Sequence, residues 1–354
     1  MIDAPVPVSD DPALDVGRLS AYLSGVLGEP VSLRVARFPR GFSNLTYMLS
    51  AGTRELVLRR PPLGVDIAHA HDMGREHGIL AGVGRVWDKV PRVLAMCDDL
   101  SVIGAPFYIM ERVRGLILRD TLPDGLSLDA AQARRISEAV VDTLAEIHGL
   151  DTEAAGLTMG RPDGYASRQI AGWTRRYYRA ATDDVPDIVA LSGWLGDNLP
   201  TGSRAALIHN DFKHDNVILD PADLSVKAVL DWEMTTRGDP RMDLGSSLAY
   251  WVQADDPAEL ERIRFCVTHL PGTLDREGVV ARYCQASGSE PFDPVWYYAY
   301  GLFKLAVVLQ QLYARYQRGL TTEDRYADMI TGVRGLSAVA LRAIDRGRIV
   351  GLQE

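Results

Sequence analysis

The sequence predicts an α+β chain of two unequal parts. A small antiparallel sheet with one helix and an N-terminal arm and helix is expected over residues 1–113, and a larger, mainly helical part over 114–354. Three observations carry this. β-prone runs broken by turn residues fill Val31–Val113, with a single helical stretch among them. Past Arg114-Gly115 the apolar residues recur at helical spacing instead. Within that helical part, one strand–turn–strand segment follows the polar run LIHNDFKHDN, residues 207–216.

Taken in order, residues 1–12 are acidic and Pro-rich and read as a loose arm. Leu14–Leu27 places Leu19, Leu23, Val26 and Leu27 on one helical face, and Gly28 ends it. Val31–Phe38, Leu45–Leu49 and Glu55–Arg59 are strands, the last two joined by the turn Ala51-Gly52-Thr53. Ala70–Gly84 carries Ile79, Leu80 and Val83 as a helical stripe. Pro91–Cys97, Ser101–Ile103 and Phe107–Val113 supply further β-like runs toward a five-stranded sheet. Asp129–His148, with Ile136, Val140, Val141, Leu144 and Ile147, is a helix stopped by Gly149. Ser167–Ala181 mixes Trp173, Tyr177 and Tyr178 with four arginines and reads as an amphipathic helix with a solvated basic face, the alternative being a face that receives an anionic, phosphorylated or CoA-linked substrate. Asp256–Glu259 opens another helix, and Val295–Arg318 is a long apolar one with Lys304 inside it.

The chain has 354 residues, 47% hydrophobic and 24% charged, and a net charge of −9. That balance argues against a general nucleic-acid binder, because neutralising phosphates needs an excess of Lys and Arg. Cys97, Cys266 and Cys284 are widely spaced and read as reduced thiols of a cytoplasmic protein. The N-terminus has neither a basic nor an apolar segment of a signal peptide, and no run reaches the length of a membrane helix.

The chemistry concentrates in residues 207–245. His209, Asp211 and Asn216 form the pattern H-x-D-x-x-x-x-N, and the apolar run Val226–Leu230 ends on Asp231. Asp-Pro-Ala-Asp separates the two β-prone runs, which is a hairpin signal and would bring Asn216 near Asp231. An amide oxygen and a carboxylate are hard donors that suit Mg²⁺ completed by substrate phosphates. Asp211 is placed to orient a substrate hydroxyl and accept its proton, and Lys213 to neutralise a moving phosphoryl group. His209 is expected to pack and orient, because the neighbouring Asp211 already fills the base role. Upstream, Gly41 allows close backbone approach to a phosphate, with Ser43 and Asn44 as donors to the same oxygens.

The stretches IHNDFKHDN and LDWE resemble the catalytic loop and metal-binding Asp segment of the aminoglycoside phosphotransferase and choline kinase superfamily, relatives of the protein kinases. The motifs FPRGFSNLTYML, VLRRPPLG, AHDMGREHGIL, APFYIMERVRG and GLFKLAVVLQQLYARY are similar to the kinase-like domains associated with acyl-CoA dehydrogenases. The resemblance implies a bilobal protein-kinase-like fold and an enzyme that uses ATP and Mg²⁺. It implies that Arg59, or as the second choice Arg60, stands where kinases have a phosphate-gripping Lys, with Glu76 as its partner, and that Asp243 braces the catalytic loop. It also makes Glu111 and Val113 hinge residues whose backbone groups hold the adenine edge. The implied acceptor is a small-molecule hydroxyl, of a hydroxyacyl-CoA or hydroxy acid, with a functional link to an acyl-CoA dehydrogenase. An antibiotic acceptor of the aminoglycoside type, or a catalytically weak nucleotide-binding protein acting through partners, are the alternatives. No nucleic-acid or membrane partner is expected.

Overall fold

The computed structural model describes residues 5–8, 11, 13–38, 44–62, 73–202, 204–321 and 323–353. In chain order the elements begin β1 (Val6–Pro7), α1 (Val16–Leu27), β2 (Leu33–Arg37), β3 (Leu45–Ala51), β4 (Arg54–Arg60), α2 (Met73–Val83), β5 (Val93–Cys97), α3 (Leu100–Ile103) and β6 (Phe107–Glu111). They continue with α4 (Ala130–Gly149), α5 (Tyr165–Ala180), α6 (Pro186–Asp197), β7 (Ala206–Ile208), β8 (Val217–Leu219), β9 (Val226–Val229), β10 (Thr236–Gly238), α7 (Pro240–Ala249), α8 (Ala258–Glu261), α9 (Arg276–Ser287), α10 (Val295–Gln317) and α11 (Met329–Arg346). The chain divides into two compact units. One holds residues 1–117, 151–157 and 217–233, the other 118–150, 158–216 and 234–354.

The first unit is built on an antiparallel sheet in the order β1-β2-β3-β4-β6-β5. Its members differ from expectation at two places. Val6–Pro7, inside the presumed arm, pairs with Arg37 and Ala36 of β2. Ser101–Ile103, read as β-like, is instead helical in α3, because Asp99 caps the N-terminus and Gly104 closes the C-terminus at φ 74°. Two good caps outweigh the β-preference of Val102 and Ile103 in so short a run. Alternation along the strands sorts side chains to two faces. Tyr47, Leu49, Leu56, Leu58, Phe107 and Ile109 share the face covered by Leu19 and Leu23 of α1. Val57 and Arg59 therefore belong to the opposite face, and Arg60 returns to the first. There the Arg60 guanidinium ties down the carbonyls of Ala13, Ile103 and Pro61.

The same unit includes the hairpin β8–β9, antiparallel with Val217 opposite Val229. It is stitched on by an isolated bridge between Leu116 and Leu219. Gly115 makes that closeness possible, since a Cβ there would lie 2.3 Å from the Leu219 carbonyl oxygen.

The second unit is mainly helical. Its small sheet pairs β7 with β10 in antiparallel register. The long α10 is its centre: from Val295 to Ala306 every residue is buried, and α11, α7, α5 and α6 pack on it. At its crossing with α7 the two backbones nearly touch. A Cβ on Gly245 would meet the Tyr297 carbonyl oxygen at 2.1 Å, and one on Gly301 the Gly245 oxygen at 2.0 Å. Helix α5 buries Tyr165, Ile170, Trp173 and Tyr177. Its Arg175 and Arg179 face solvent, and Arg176 lies over the Trp173 ring at 4.4 Å.

Candidate active site

The sequence-predicted residues fall into two groups, one per unit. In the first unit, β4 carries Arg59 and α2 carries Glu76. Alternation puts Arg59 on the sheet face opposite the α1 core, so that its guanidinium meets the buried Glu76 at 2.7 Å from Nη1 to Oε1. The same guanidinium donates from Nη2 to Asp231 Oδ1 at 3.0 Å and lies 3.8 Å from Glu233 Oε2. Burial works against the Arg59 charge, but Glu76, Asp231 and Glu233 outweigh it, and the group is held well above the usual arginine value. Asp231 follows β9 in a left-handed conformation, φ 66°, which non-glycine residues seldom adopt without a local cause. Trp232 beside it is fully buried and donates its indole N–H to the Val229 carbonyl at 2.9 Å.

Asn44 is buried, and its Nδ2 donates to Glu233 Oε2 at 2.8 Å. The carbonyl of Glu233 accepts from Arg75 Nη1 at 2.5 Å. Glu233 was not singled out from the sequence, although it directly follows Asp231-Trp232. Gly41 and Ser43 lie outside the described residues. Glu111 ends β6, its carboxylate paired with Arg92 and held below the usual range by that guanidinium. Val113 is half-buried, and its backbone N–H and C=O make no hydrogen bond among the described residues.

In the second unit, the segment from His209 to Asn216 leaves β7 and closes in a 3-10 turn over His214–Asn216. Asp211 is held on both oxygens. Oδ1 accepts from the Tyr250 hydroxyl at 3.1 Å, and Oδ2 from Lys213 Nζ at 2.6 Å and Asn216 Nδ2 at 3.2 Å. Asn216 Nδ2 also donates to the Asp211 carbonyl at 2.8 Å, which leaves Asn216 Oδ1 with no donor among the described residues. Burial opposes the Lys213 charge, but the facing Asp211 and Asp215 carboxylates keep it well above the ordinary lysine value. Lys213 thus sits on Asp211 itself, and its ammonium lies 4.9 Å from the centre of the Tyr250 ring.

Asp243, on the first turn of α7, braces this loop. Its carboxylate accepts the backbone N–H of His209 at 2.6 Å and of Asn210 at 2.8 Å, and pairs with His148 Nε2 at 3.0 Å. Burial pushes the Asp243 carboxyl up, but the His148 contact, His209 and Lys304 pull it below its usual value. His209 is fully buried, packs edge-on against Phe212 and accepts the Asp211 N–H on Nδ1 at 3.3 Å. Tyr250 and His148 had no sequence signal: they stand 39 residues from Asp211 and 95 from Asp243.

The APH family model, described as the phosphotransferase enzyme family, matches residues 34–265. This chain belongs to that family. It is 36% identical over 314 residues to human acyl-CoA dehydrogenase family member 11, which covers 86% of this chain but 39% of that protein. To mouse acyl-CoA dehydrogenase family member 10 it is also 36% identical, over 87% of this chain and 29% of the relative. The chain therefore spans less than half the length of these curated relatives. Among solved structures, one from Ralstonia eutropha provisionally described as an aminoglycoside phosphotransferase is 28% identical, with TM-score 0.79, covering 94% of this chain and 98% of that one. A thermostable mutant of aminoglycoside phosphotransferase APH(4)-Ia, in ternary complex with ADP and hygromycin B, has TM-score 0.59 at 18% identity, covering 92% and 98%. The fold is that of the kinase-like phosphotransferases, and the family is one of phosphotransferase enzymes. Among the described residues no helix is long and apolar enough to cross a membrane.

Proposed function

We propose that this chain is an ATP- and Mg²⁺-dependent phosphotransferase that moves the γ-phosphoryl group to a small-molecule hydroxyl. The observation that carries the reading is the buried Arg59 guanidinium, shared between Glu76 and the left-handed Asp231. Its Nε is buried with no partner among the described residues, a donor suited to a phosphate oxygen. The residues present also fit the metal. Asp231 offers a carboxylate, and Asn216 an amide oxygen turned away from its own hydrogen bonds. Bound Mg·ATP would supply the phosphoryl group and the charge that neutralises it. Asp211 orients the acceptor hydroxyl and takes its proton, and Lys213 holds the carboxylate that does so. The free backbone groups of Val113, with Glu111 beside it, suit the adenine edge.

A hydroxyacyl-CoA or hydroxy acid is the acceptor class supported by the relatives, both named for acyl-CoA dehydrogenases. On the same ground the chain works alongside an acyl-CoA dehydrogenase. An aminoglycoside acceptor has only a fold likeness at 18% identity behind it. Calorimetric titration with Mg·ATP, followed by an ATP-consumption screen over hydroxyacyl-CoAs, hydroxy acids and aminoglycosides, tests the reading. Binding of Mg·ATP with turnover on a hydroxyacyl-CoA supports it. Turnover on aminoglycosides alone moves the acceptor, and binding with no turnover on any hydroxyl favours a nucleotide-binding protein acting through partners. No binding of Mg·ATP ends the proposal.

A further inference from the structure

Asn210, the residue before Asp211, is clamped at every polar atom. It adopts φ 67°, a left-handed conformation that asparagine tolerates better than most side chains. Its N–H goes to Asp243 Oδ1 at 2.8 Å, its Oδ1 accepts from the Tyr165 hydroxyl at 3.2 Å, and its Nδ2 donates to the Met234 carbonyl at 2.9 Å. The fourth contact comes from α10: the Lys304 ammonium donates to the Asn210 carbonyl. The second donor of Lys304 reaches Ser246 Oγ at 3.4 Å, and the ammonium stands 5.9 Å from the centre of the Trp173 ring.

Lys304 is 7% exposed and, among the described residues, hydrogen-bonds to no carboxylate. Stability alone does not account for it. A buried ammonium without a hydrogen-bonded carboxylate is costly to desolvate, and two of its donors go to the Asn210 carbonyl and the Ser246 hydroxyl. Burial pulls its pKa down, with Asp211 and Asp243 acting in the other direction. The Asn210 carbonyl belongs to the peptide that joins Asn210 to Asp211, so fixing that oxygen fixes the plane from which the Asp211 side chain departs.

Building on the phosphotransferase reading, we propose that Lys304 is a positioning residue: by gripping the Asn210 carbonyl it locks the Asn210–Asp211 peptide plane and so aims the Asp211 carboxylate at the acceptor hydroxyl. Lys304→Met removes the grip while keeping the apolar volume. Lys304→Arg keeps a cation and its donors.

The test measures kcat, KM for ATP, thermal midpoint and amide hydrogen exchange across residues 207–213 in the full chain. Lys304→Met is expected to lower kcat about 10²-fold, as a misdirected reacting group does, with KM for ATP within about twofold. Its thermal midpoint falls modestly, because the Asn210 carbonyl loses its donor, and the Asn210 and Asp211 amides exchange about tenfold faster. Lys304→Arg restores kcat to within about fivefold of the unaltered protein. Unchanged kcat or unchanged exchange in Lys304→Met overturns the assignment, as does failure of the Arg variant to rescue. If the unaltered protein transfers no phosphoryl group, the phosphotransferase reading fails by itself, and the exchange measurement still decides whether Lys304 locks the peptide.

Discussion

The two groups of site residues are stabilised in different ways. Around Arg59, charge is buried against charge: Glu76 is 1% exposed, and one guanidinium serves two carboxylates with a third nearby. Around Asp211 the fully buried carboxylate is a different one, Asp243, and it is spent on backbone N–H groups. Asp211 itself keeps 20% of its side chain exposed. A network of the first kind cannot lose a buried member without leaving an uncompensated charge, so stability and function stand or fall together there. In the second, the carboxylate proposed to act and the one that braces the loop are separate residues, so the first can be removed while the fold remains.

The largest test of that contrast removes the two carboxylates proposed to act. Asp211→Ala and Asp231→Ala are each expected to lower phosphoryl transfer by on the order of 10³-fold or more; the thermal midpoint stays close to the unaltered protein in Asp211→Ala and falls in Asp231→Ala, which takes a partner from the buried Arg59 guanidinium. Activity equal to the unaltered protein in either variant breaks the assignment. Arg59→Ala should differ in kind. It strands the buried Glu76, so a stability loss of about 3–5 kcal/mol by denaturant titration is expected together with lost nucleotide binding. A stable Arg59→Ala protein would show that the buried pair is not what holds α2 to β4.

Asp243→Asn is next. An amide cannot accept from two N–H groups and His148 as the carboxylate does, and a loss of about 1–3 kcal/mol is expected. The pH dependence follows from the sign of its shift. The Asp243 pKa lies below its ordinary 3.8 in the folded chain, so its contribution is present above about pH 3.8 and is lost as pH falls below that. Acid titration of stability should therefore be shallower below pH 3.8 in Asp243→Asn, and identical slopes would count against the brace. The smallest effect belongs to exposed Arg175. Arg175→Ala should change stability by less than about 0.5 kcal/mol and leave kcat unaltered, whereas a clear rise in KM for an anionic acceptor would give the basic face of α5 a role in binding.

Much of this was readable from the chain. His209, Asp211 and Asn216 lie within one short loop, so their spacing alone brings them together, and the hairpin after them is marked by its own turn residues. Strand alternation distinguishes Arg59 from Arg60, sending one to Glu76 and the other to backbone carbonyls. What could not be read depends on packing between distant elements. Tyr250 and Lys304 reach the loop from 39 and 94 residues away, through helices whose apolar spacing fixes a buried face but not what that face touches. Residues 101–103 were misread because a capped single turn and a short strand share the same composition, and only the caps tell them apart.

The crossing of α7 and α10 has one more consequence. Gly245 and Gly301 let the two main chains meet without any side chain interposed, and each lies within a helical turn of a loop support, Asp243 on α7 and Lys304 on α10. Those two supports therefore share a common ruler whose length is one carbonyl radius. A methyl group at either glycine would act as a shim, offsetting both at once from a position that lies on neither support.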